Sequence, residues 1–455
     1  MKLDLQKFFE SCNPSKTLIL ENPQDGQYYI DFASVRGGKV IEALGRTIAR
    51  LSPDKPTCQL FTGHIGCGKS TELRRLEFDL KREGFHVVYF ESSQDLDMGD
   101  VDITDILLAI TRQVSESLET IGIKLIPGYF VNLFSELKDV LLTPIELSGE
   151  ASVPGIGGKI NASSEGKFEF SLPLGIGKIT AKTKDSPKLR EQLRQYLEPR
   201  TNTILESINE EVLGRATQEL KARGKKGLVV IVDNLDRIDP RPKTSARSQP
   251  EYIFIDRGEQ LRKLNCHVVY TIPLALIFSN ENETLKNRLG GGVAPKVLPM
   301  VPVQLRDGSE YKEGIELLRQ MVLTRAFPDV DASARIDLIG QIFDSPETLD
   351  RLCRVSGGHL RNLLGLLYSC LQQEELPLSR DCLEDAIRAS RDSLVLAIDD
   401  NEWELLRQVV QRKSVSGEVD YENLLRSLFV FEYQDKEGRW FGINPVLAEA
   451  KKFKQ

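Results

Sequence analysis

A chain of 455 residues is long enough for about two to four domains, and its 40% hydrophobic and 28% charged residues are those of an ordinary soluble globular protein. A net charge of −7 gives no general case for nucleic-acid binding, and the longest apolar run, residues 270–278, contains Pro273 and is far too short to span a membrane. The opening residues lack the apolar core of a signal peptide, and the seven scattered cysteines include no C-x-x-C pair, so reduced thiols in a cytoplasm are expected. The four histidines have no metal-ligand spacing.

Residues 1–55 read as a lead-in to the core. Within it, 28–33 reads as extended and 38–51 as a helix, with Val40, Ile41, Leu44, Ile48 and Leu51 as its apolar stripe. Residues 58–73 then run C-Q-L-F-T-G-H-I-G-C-G-K-S-T-E-L, and Gly63, Gly68, Lys69 and Ser70 fit G-x-x-x-x-G-K-[ST]. The apolar run before the loop reads as a strand, and Leu73, Leu76 and Leu80 follow it at helical spacing. Strand, glycine loop and helix is the setting in which this pattern binds phosphate. Backbone N–H groups from Gly63 through His64, Ile65, Gly66, Cys67 and Gly68 to Lys69, Ser70 and Thr71 would wrap an anion at the positive end of a helix. Lys69 would reach β- and γ-phosphates, and the Ser70 hydroxyl would ligate Mg²⁺. Cys67 reads as a small loop residue rather than a redox sensor. The helix before the loop reads either as a packing helix or as part of the cover over adenine.

After a break at Gly84, residues 85–90 form a buried strand and 102–121 an amphipathic helix, the rhythm of a parallel α/β sheet. That rhythm breaks between 140 and 187, where residues are small, polar and glycine-rich. Phe168 to Leu172 alternates as F-E-F-S-L, and P-G-I-G-G-K-I at 154–160 is echoed by P-L-G-I-G-K-I at 173–179. One or two inserted β-hairpins are expected, serving either as a functional loop or as a surface insertion. Helices follow at 189–197 and 201–223.

Residues 227–236, G-L-V-V-I-V-D-N-L-D, form a second anchor: a buried central strand with Asp233 at its carboxyl end, where α/β sheets place ligands. Asp233 would hold the Mg²⁺ shell through water, and Asp236 would polarise the attacking water. Arg237 opens a proline- and arginine-rich loop that faces a neighbour's nucleotide, a polyanion or solvent. On the strand 266–272, Thr271 is either a sensor of the γ-phosphate or an ordinary strand residue. Arg288, at the end of a helix over 282–289, is either an arginine finger acting across a subunit boundary or a surface arginine at a helix C-terminus. From residue 309 the pattern is helical, over 309–326, 333–343, 346–354, 359–373 and 379–392. Ser356-Gly357-Gly358-His359-Leu360-Arg361 opens one of these helices and places Arg361 to reach back to a phosphate. Residues 396–455 read as helix, helix and hairpin, a winged-helix pattern. Its nine Lys/Arg against eleven Asp/Glu give the wrong sign for phosphate contacts and favour packing or a protein contact.

Together G-H-I-G-C-G-K-S, V-V-I-V-D-N-L-D-R and S-G-G-H-L-R-N-L-L resemble the AAA+/STAND branch of P-loop ATPases. The second segment is similar to KAP and STAND NTPases. The third resembles the sensor-2 segment of archaeal and eukaryotic replication-initiator ATPases, which also carry a helical lid followed by a winged helix. The resemblance implies an α/β fold: an AAA+-like parallel P-loop NTPase sheet with a β-hairpin insertion, a helical lid and a C-terminal winged-helix-like domain. The implied boundaries are a lead-in at 1–55 packing on the core, a core at 56–300 with its insertion at 140–187, a lid at 301–395 and a tail at 396–455. It further implies ATP and Mg²⁺ as ligands, with Lys69, Ser70, Asp233 and Arg361 at the nucleotide. Asn234 departs from the pattern, standing where many AAA+ enzymes carry a catalytic Glu, and this points to slow hydrolysis. The insertion is not part of the minimal fold, and it is less apolar than the membrane-spanning ones of KAP proteins.

The expected function is a cytoplasmic, ATP-binding and slowly hydrolysing switch whose nucleotide state controls homo-oligomerisation or a protein partner. The STAND resemblance implies bacterial signalling or anti-phage defence. Two alternatives stand beside it: an ATP-dependent DNA initiator or loader, and an ATP-binding scaffold without hydrolysis.

Overall fold

A computed structural model describes residues 3–137, 172–417 and 419–454. Five short apolar runs pair in parallel: β1 (Cys58–Gly63), β2 (His86–Glu91), β3 (Leu228–Asp233), β4 (His267–Thr271) and β5 (Lys296–Leu298), in the order β2–β3–β4–β1–β5. All six residues of β3 are buried, as a strand covered on both faces requires. Because every strand is parallel, Gly63 and Asp233 lie at the same carboxyl edge, with β4 between their strands. Strand β5 has three residues, too few to show a period in the sequence.

Helix α1 (Lys69–Arg82) leaves β1 through the glycine loop and buries Leu73, Leu76 and Leu80 against the sheet. Helix α2 (Ile103–Thr120) begins with a capping box between Asp102 and Asp105. The expected hairpin insertion divides here. Its first part, through residue 171, lies outside the described residues. Its second part is corrected: Leu172–Asp185 is a helix, α3, packed on α2. Leu172, Ile176 and Ile179 are buried at helical spacing, and that stripe overrides the glycine-rich echo. Gly175 permits the approach, since a Cβ there would overlap the Phe134 ring.

The lid contains α4 (Lys312–Ala326), α5 (Pro346–Val355), α6 (Leu360–Gln373) and α7 (Arg380–Val395), around a separate apolar cluster. The lead-in splits between two neighbours. Phe8, Cys12, Phe32 and Val35 join the lid cluster, whereas Ile41, Leu44 and Ile48 pack on the sheet. Residues 28–33, expected to be extended, join no sheet.

The tail comprises α8 (Asp400–Arg412), α9 (Val419–Arg426) and the antiparallel pair β6 (Val430–Asp435) and β7 (Gly438–Ile443). Strand alternation gives this hairpin two apolar faces. Phe431, Tyr433 and Trp440 enter the cluster of the parallel sheet, while Val430, Phe441 and Ile443 pack on Trp403, Leu406 and Leu424 of the tail. Tyr433 and Trp440 are directly opposite and stacked, with ring centroids 4.5 Å apart. Among the described residues, no helix is long and apolar enough to cross a membrane.

Candidate functional site

Gly66 (φ +87°) and Gly68 (φ +102°) hold the loop in left-handed turns, and a Cβ on Gly66 would lie 2.8 Å from the His359 ring. The loop thereby delivers Lys69 to the first turn of α1. Its Nζ donates to the carbonyls of Gly63 (2.8 Å) and His64 (2.9 Å) and sits 2.9 Å from Asp236 Oδ2. Burial opposes this charge most, but Asp236, together with Cys67 and Asp233, outweighs it and holds the ammonium above its ordinary value. The other Asp236 oxygen, Oδ1, is buried and accepts no hydrogen bond among the described residues.

Asp233 is 1% exposed and already committed: Oδ2 accepts from the Tyr89 hydroxyl and Oδ1 from the Asn234 N–H, both at 2.7 Å. Asn234 takes φ +66°, and its amide donates to Glu91 Oε2 at 3.2 Å and to Ser93 Oγ at 3.3 Å. Thr271 is fully buried, with its hydroxyl accepting from the Leu235 N–H at 3.0 Å and donating to the Val232 carbonyl. That hydroxyl clips β4 to the turn after β3, and Thr271 does not line the cavity described below.

The lid closes on the loop through α6. His359 caps that helix, its Nδ1 accepting from the Asn362 N–H at 3.0 Å. A carbonyl only accepts, so the His359 Nε2 that meets the Ile65 carbonyl at 2.7 Å carries the proton. Burial, aided by Arg361 and Lys69, pushes its pKa down to about 4, and the ring stays neutral. The backbone N–H of Arg361 donates to the Gly66 carbonyl at 3.2 Å.

Between loop and lid lies an open cavity of about 100 Å³. Ile65, Gly66, Gly68, Lys69, Ser70, Thr71, Asn234, Asp236, Arg237 and Arg361 line one part of it. Leu18, Tyr28, Ile30, Phe32, Leu360 and Leu364 make another part apolar and aromatic. Residues of the N-terminal segment over 14–36, and none of the helix Val40–Arg46, line this cavity. Arg36 belongs to that segment and no spacing in the sequence marks it. It is 2% exposed, donates to the Cys67 carbonyl at 2.8 Å and leaves Nε without a hydrogen-bond partner among the described residues. Burial lowers its pKa, and burial followed by the neighbouring Arg237 lowers that of Arg361. Among the described residues, none of Arg36, Arg237 and Arg361 forms an ion pair. Four guanidiniums (Arg36, Arg237, Arg325 and Arg361) and two lysines (Lys16 and Lys69) line the cavity against two carboxylates, Glu72 and Asp236, an excess of positive charge that makes an anion site.

The donors present fit Mg²⁺ beside a phosphate. Such an ion takes one or two carboxylates, water and phosphate oxygens, and Ser70 and the unpartnered Asp236 Oδ1 both line the cavity. Asp233 stands behind Asn234 with both oxygens occupied, so of the two aspartates Asp236 is the one with an open oxygen.

Other predicted residues lie elsewhere. Gly63 and His64 line an adjoining cavity, and Cys67 turns its thiol toward the Leu298 carbonyl of β5, 3.8 Å away. Arg288 lies outside the cavity, bonded to the Ile255 carbonyl at 3.4 Å and 3.9 Å from Asp256.

The hairpin of the tail is bolted to the back of the loop. The Glu432 N–H donates to His64 Nε2 at 2.9 Å, Phe431 stacks on His359 at 5.5 Å, and the Tyr433 hydroxyl donates to the Gly357 carbonyl at 2.8 Å. Both hairpin faces are therefore covered by protein. Glu432 is 1% exposed, and its Oε1 lies 3.3 Å from Arg439 Nε in an ion pair. Burial raises its pKa from 4.5 to about 7, against the pull of Arg439. Between those values the folded protein holds a proton that the unfolded chain releases, so stability falls as pH rises through the window. Glu432→Gln is expected to raise stability by about 2 kcal/mol at pH 8 and to change it little at pH 4, read from denaturation midpoints at the two pH values.

Neither a family model nor a curated protein matches the chain. Among solved structures, it is similar to the Walker-type ATPase PABY2304 of Pyrococcus abyssi at 12% identity and a TM-score of 0.41, over 91% of this chain and 95% of that one. It is similar to the Aeropyrum pernix ORC2 protein in its ADPNP–ADP complexes at 12% identity and 0.43, over 98% and 96%. It is also similar to the Aeropyrum pernix ORC1 protein in complex with DNA at 14% identity and 0.34, over 90% and 92%. At such values the sheet order and the loop geometry, rather than these likenesses, carry the fold assignment.

Proposed function

We propose that the chain is an ATP-binding, slowly hydrolysing switch whose nucleotide state controls assembly into homo-oligomers or engagement of a protein partner. The observation that carries this reading is the buried Lys69–Asp236 pair, set in a glycine loop facing the guanidiniums of Arg36, Arg237 and Arg361, which form no ion pair among the described residues. A bound triphosphate competes with Asp236 for Lys69. Its phosphates draw Arg361 from the lid and Arg36 from the lead-in onto the loop, while the base lies among Tyr28, Ile30 and Phe32. Ser70 and an aspartate hold Mg²⁺, Asp236 by its free oxygen or Asp233 through water. Because elements from three parts of the chain meet one ligand, binding gives a conformation of different outer surface, which is what a switch needs. Hydrolysis is slow because Asn234 offers an amide where a base would stand. Arg288, half-exposed and outside its own cavity, is the arginine assigned to a neighbouring subunit's nucleotide. Signalling or defence against phage is the biological setting that fits such a switch.

The test is particle mass in solution without nucleotide, with ATP–Mg²⁺, and for Lys69→Ala with ATP–Mg²⁺. A larger particle with ATP alone, and none with Lys69→Ala, is expected. An unchanged mass in all three rules out assembly as the output. Adding duplex DNA tests the loader alternative, and with both hairpin faces covered no salt-sensitive complex is expected.

A further inference from the structure

Side chains from two distant parts of the chain grip carbonyls of the glycine loop. His359 Nε2, in the lid, donates to the Ile65 carbonyl at 2.7 Å, and Arg36 Nη2, in the lead-in, donates to the Cys67 carbonyl at 2.8 Å. A trans peptide is planar, with its C=O and the following N–H on opposite sides. Holding the Ile65 and Cys67 carbonyls therefore fixes the directions of the Gly66 and Gly68 N–H groups. Neither N–H donates a hydrogen bond among the described residues, and both glycines line the nucleotide cavity. The peptide between them is spent differently. Its Gly66 carbonyl accepts from the Arg361 N–H at 3.2 Å, and its Cys67 N–H donates to the His64 carbonyl at 3.2 Å. The loop thus alternates open and occupied N–H groups, and each open one belongs to a peptide held by a side chain from outside the loop.

We propose that His359 is a positioning residue for phosphate binding: by holding the Ile65 carbonyl it turns the Gly66 N–H toward the anion, as Arg36 does for Gly68. This rests on the ATP-binding reading above and adds to it the groups that shape the loop before nucleotide arrives. His359 is fully buried and does not line the nucleotide cavity, so its effect on a phosphate passes through the loop. Arg36 lines the cavity and can reach the ligand directly, so His359 is the cleaner probe. The ring is itself held in place, accepting from the Asn362 N–H at 3.0 Å and stacked on Phe431 at 5.5 Å. It sits tightly on this one peptide: a methyl on Gly66 would lie 2.8 Å from both Cε1 and Nε2. Without the donor, glycine at 66 lets the peptide turn, since it accepts either sign of φ. A turned peptide presents a carbonyl to the phosphate and repels it. An N–H aimed beforehand spares the ligand the cost of ordering the loop. The coupling is reciprocal: the docked lid tightens phosphate binding, and bound phosphate favours the docked lid.

His359 also caps α6, so the test must separate its two nitrogens. A glutamine places its amide near the Nε2 position and can still donate to Ile65. An asparagine places its amide oxygen near the Nδ1 position and can still accept from the Asn362 N–H. Full-length wild type, His359→Gln, His359→Asn and His359→Leu are compared by calorimetric titration with ATP–Mg²⁺, at a temperature where denaturation curves show each one folded. His359→Asn and His359→Leu are expected to lose at least about tenfold in ATP affinity, the worth of one charge-assisted hydrogen bond. His359→Gln is expected to bind within about threefold of wild type although its cap is gone. Should the leucine variant not fold, the glutamine and asparagine pair decides alone. If His359→Asn binds as tightly as His359→Gln, the loop contact does nothing for phosphate and the proposal fails. It fails equally if His359→Gln loses as much as His359→Asn, since ring packing rather than the donor then sets the affinity. If wild type itself does not bind ATP, the ATP-binding reading falls and this inference with it.

Discussion

Lys69→Ala is expected to abolish nucleotide binding and at the same time to destabilise the nucleotide-free protein. In the resting site the ammonium is 6% exposed and holds three oxygens: the carbonyls of Gly63 and His64 and Asp236 Oδ2. Truncation strands a buried carboxylate whose other oxygen already lacks a partner. Removing one member of a buried pair costs about 3–5 kcal/mol, because the remaining charge keeps its desolvation penalty. Asp236→Ala added to Lys69→Ala removes that stranded charge and is expected to return about 1–2 kcal/mol, a coupling that a double-mutant cycle reads directly. For the ligand, two charge-assisted hydrogen bonds at about 1.5–3 kcal/mol each predict a loss of at least about 10²-fold in ATP affinity. Calorimetric titration at a temperature where the variant remains folded measures this. An affinity within tenfold of wild type would show that the phosphates lie elsewhere.

The parts of this site that the sequence reveals are those made by contiguous residues. Gly63 to Ser70 is one turn of backbone, and its glycines and lysine are fixed by local geometry, so a spacing rule finds them. The six apolar residues of β3 likewise announce a buried strand. Arg36 shows no such sign: it reaches the loop only because Phe32 and Val35 are drawn into the lid cluster, a contact across the whole chain. The partnering of Lys69 with Asp236 rather than Asp233 is set by the left-handed turn at Asn234, which directs the Asp233 oxygens to Tyr89 and the Asn234 N–H. The helix α3 was hidden for another reason. Two glycines and a proline fall in its first half, while its helical character rests on three buried residues that meet α2 and on the fit of Gly175 to Phe134. The tail hairpin was legible as strands but not as a two-faced wedge, because either face alone explains its alternation.

Gly358→Ala is expected to be the most damaging single methyl in the molecule. The turn Ser356–His359 carries φ +60° at Gly357 and +72° at Gly358, and a Cβ on Gly358 would overlap the Val301 carbonyl oxygen. Forcing alanine into the left-handed region costs about 1–2 kcal/mol. The overlap adds to this because the obstacle is backbone, fixed where the core passes into the lid, and not the yielding end of a side chain. Relief requires the turn to lift from Val301, which takes His359 from the Ile65 carbonyl and the Arg361 N–H from the Gly66 carbonyl. A loss of about 4 kcal/mol or more is therefore expected, a large part of the stability of an ordinary domain. Gly357→Ala should cost less, since its new Cβ would meet Pro445 Cδ at 2.7 Å and the Phe431 ring at 2.8 Å, both side-chain atoms. Gly365→Ala, inside α6 with nothing within 4 Å of the new atom, should instead stabilise by up to about 1 kcal/mol through helix propensity. Chemical denaturation of the three variants checks this order. Should Gly358→Ala prove as stable as wild type, the turn yields freely, and the lid is not held on the glycine loop by the His359 and Arg361 contacts to Ile65 and Gly66.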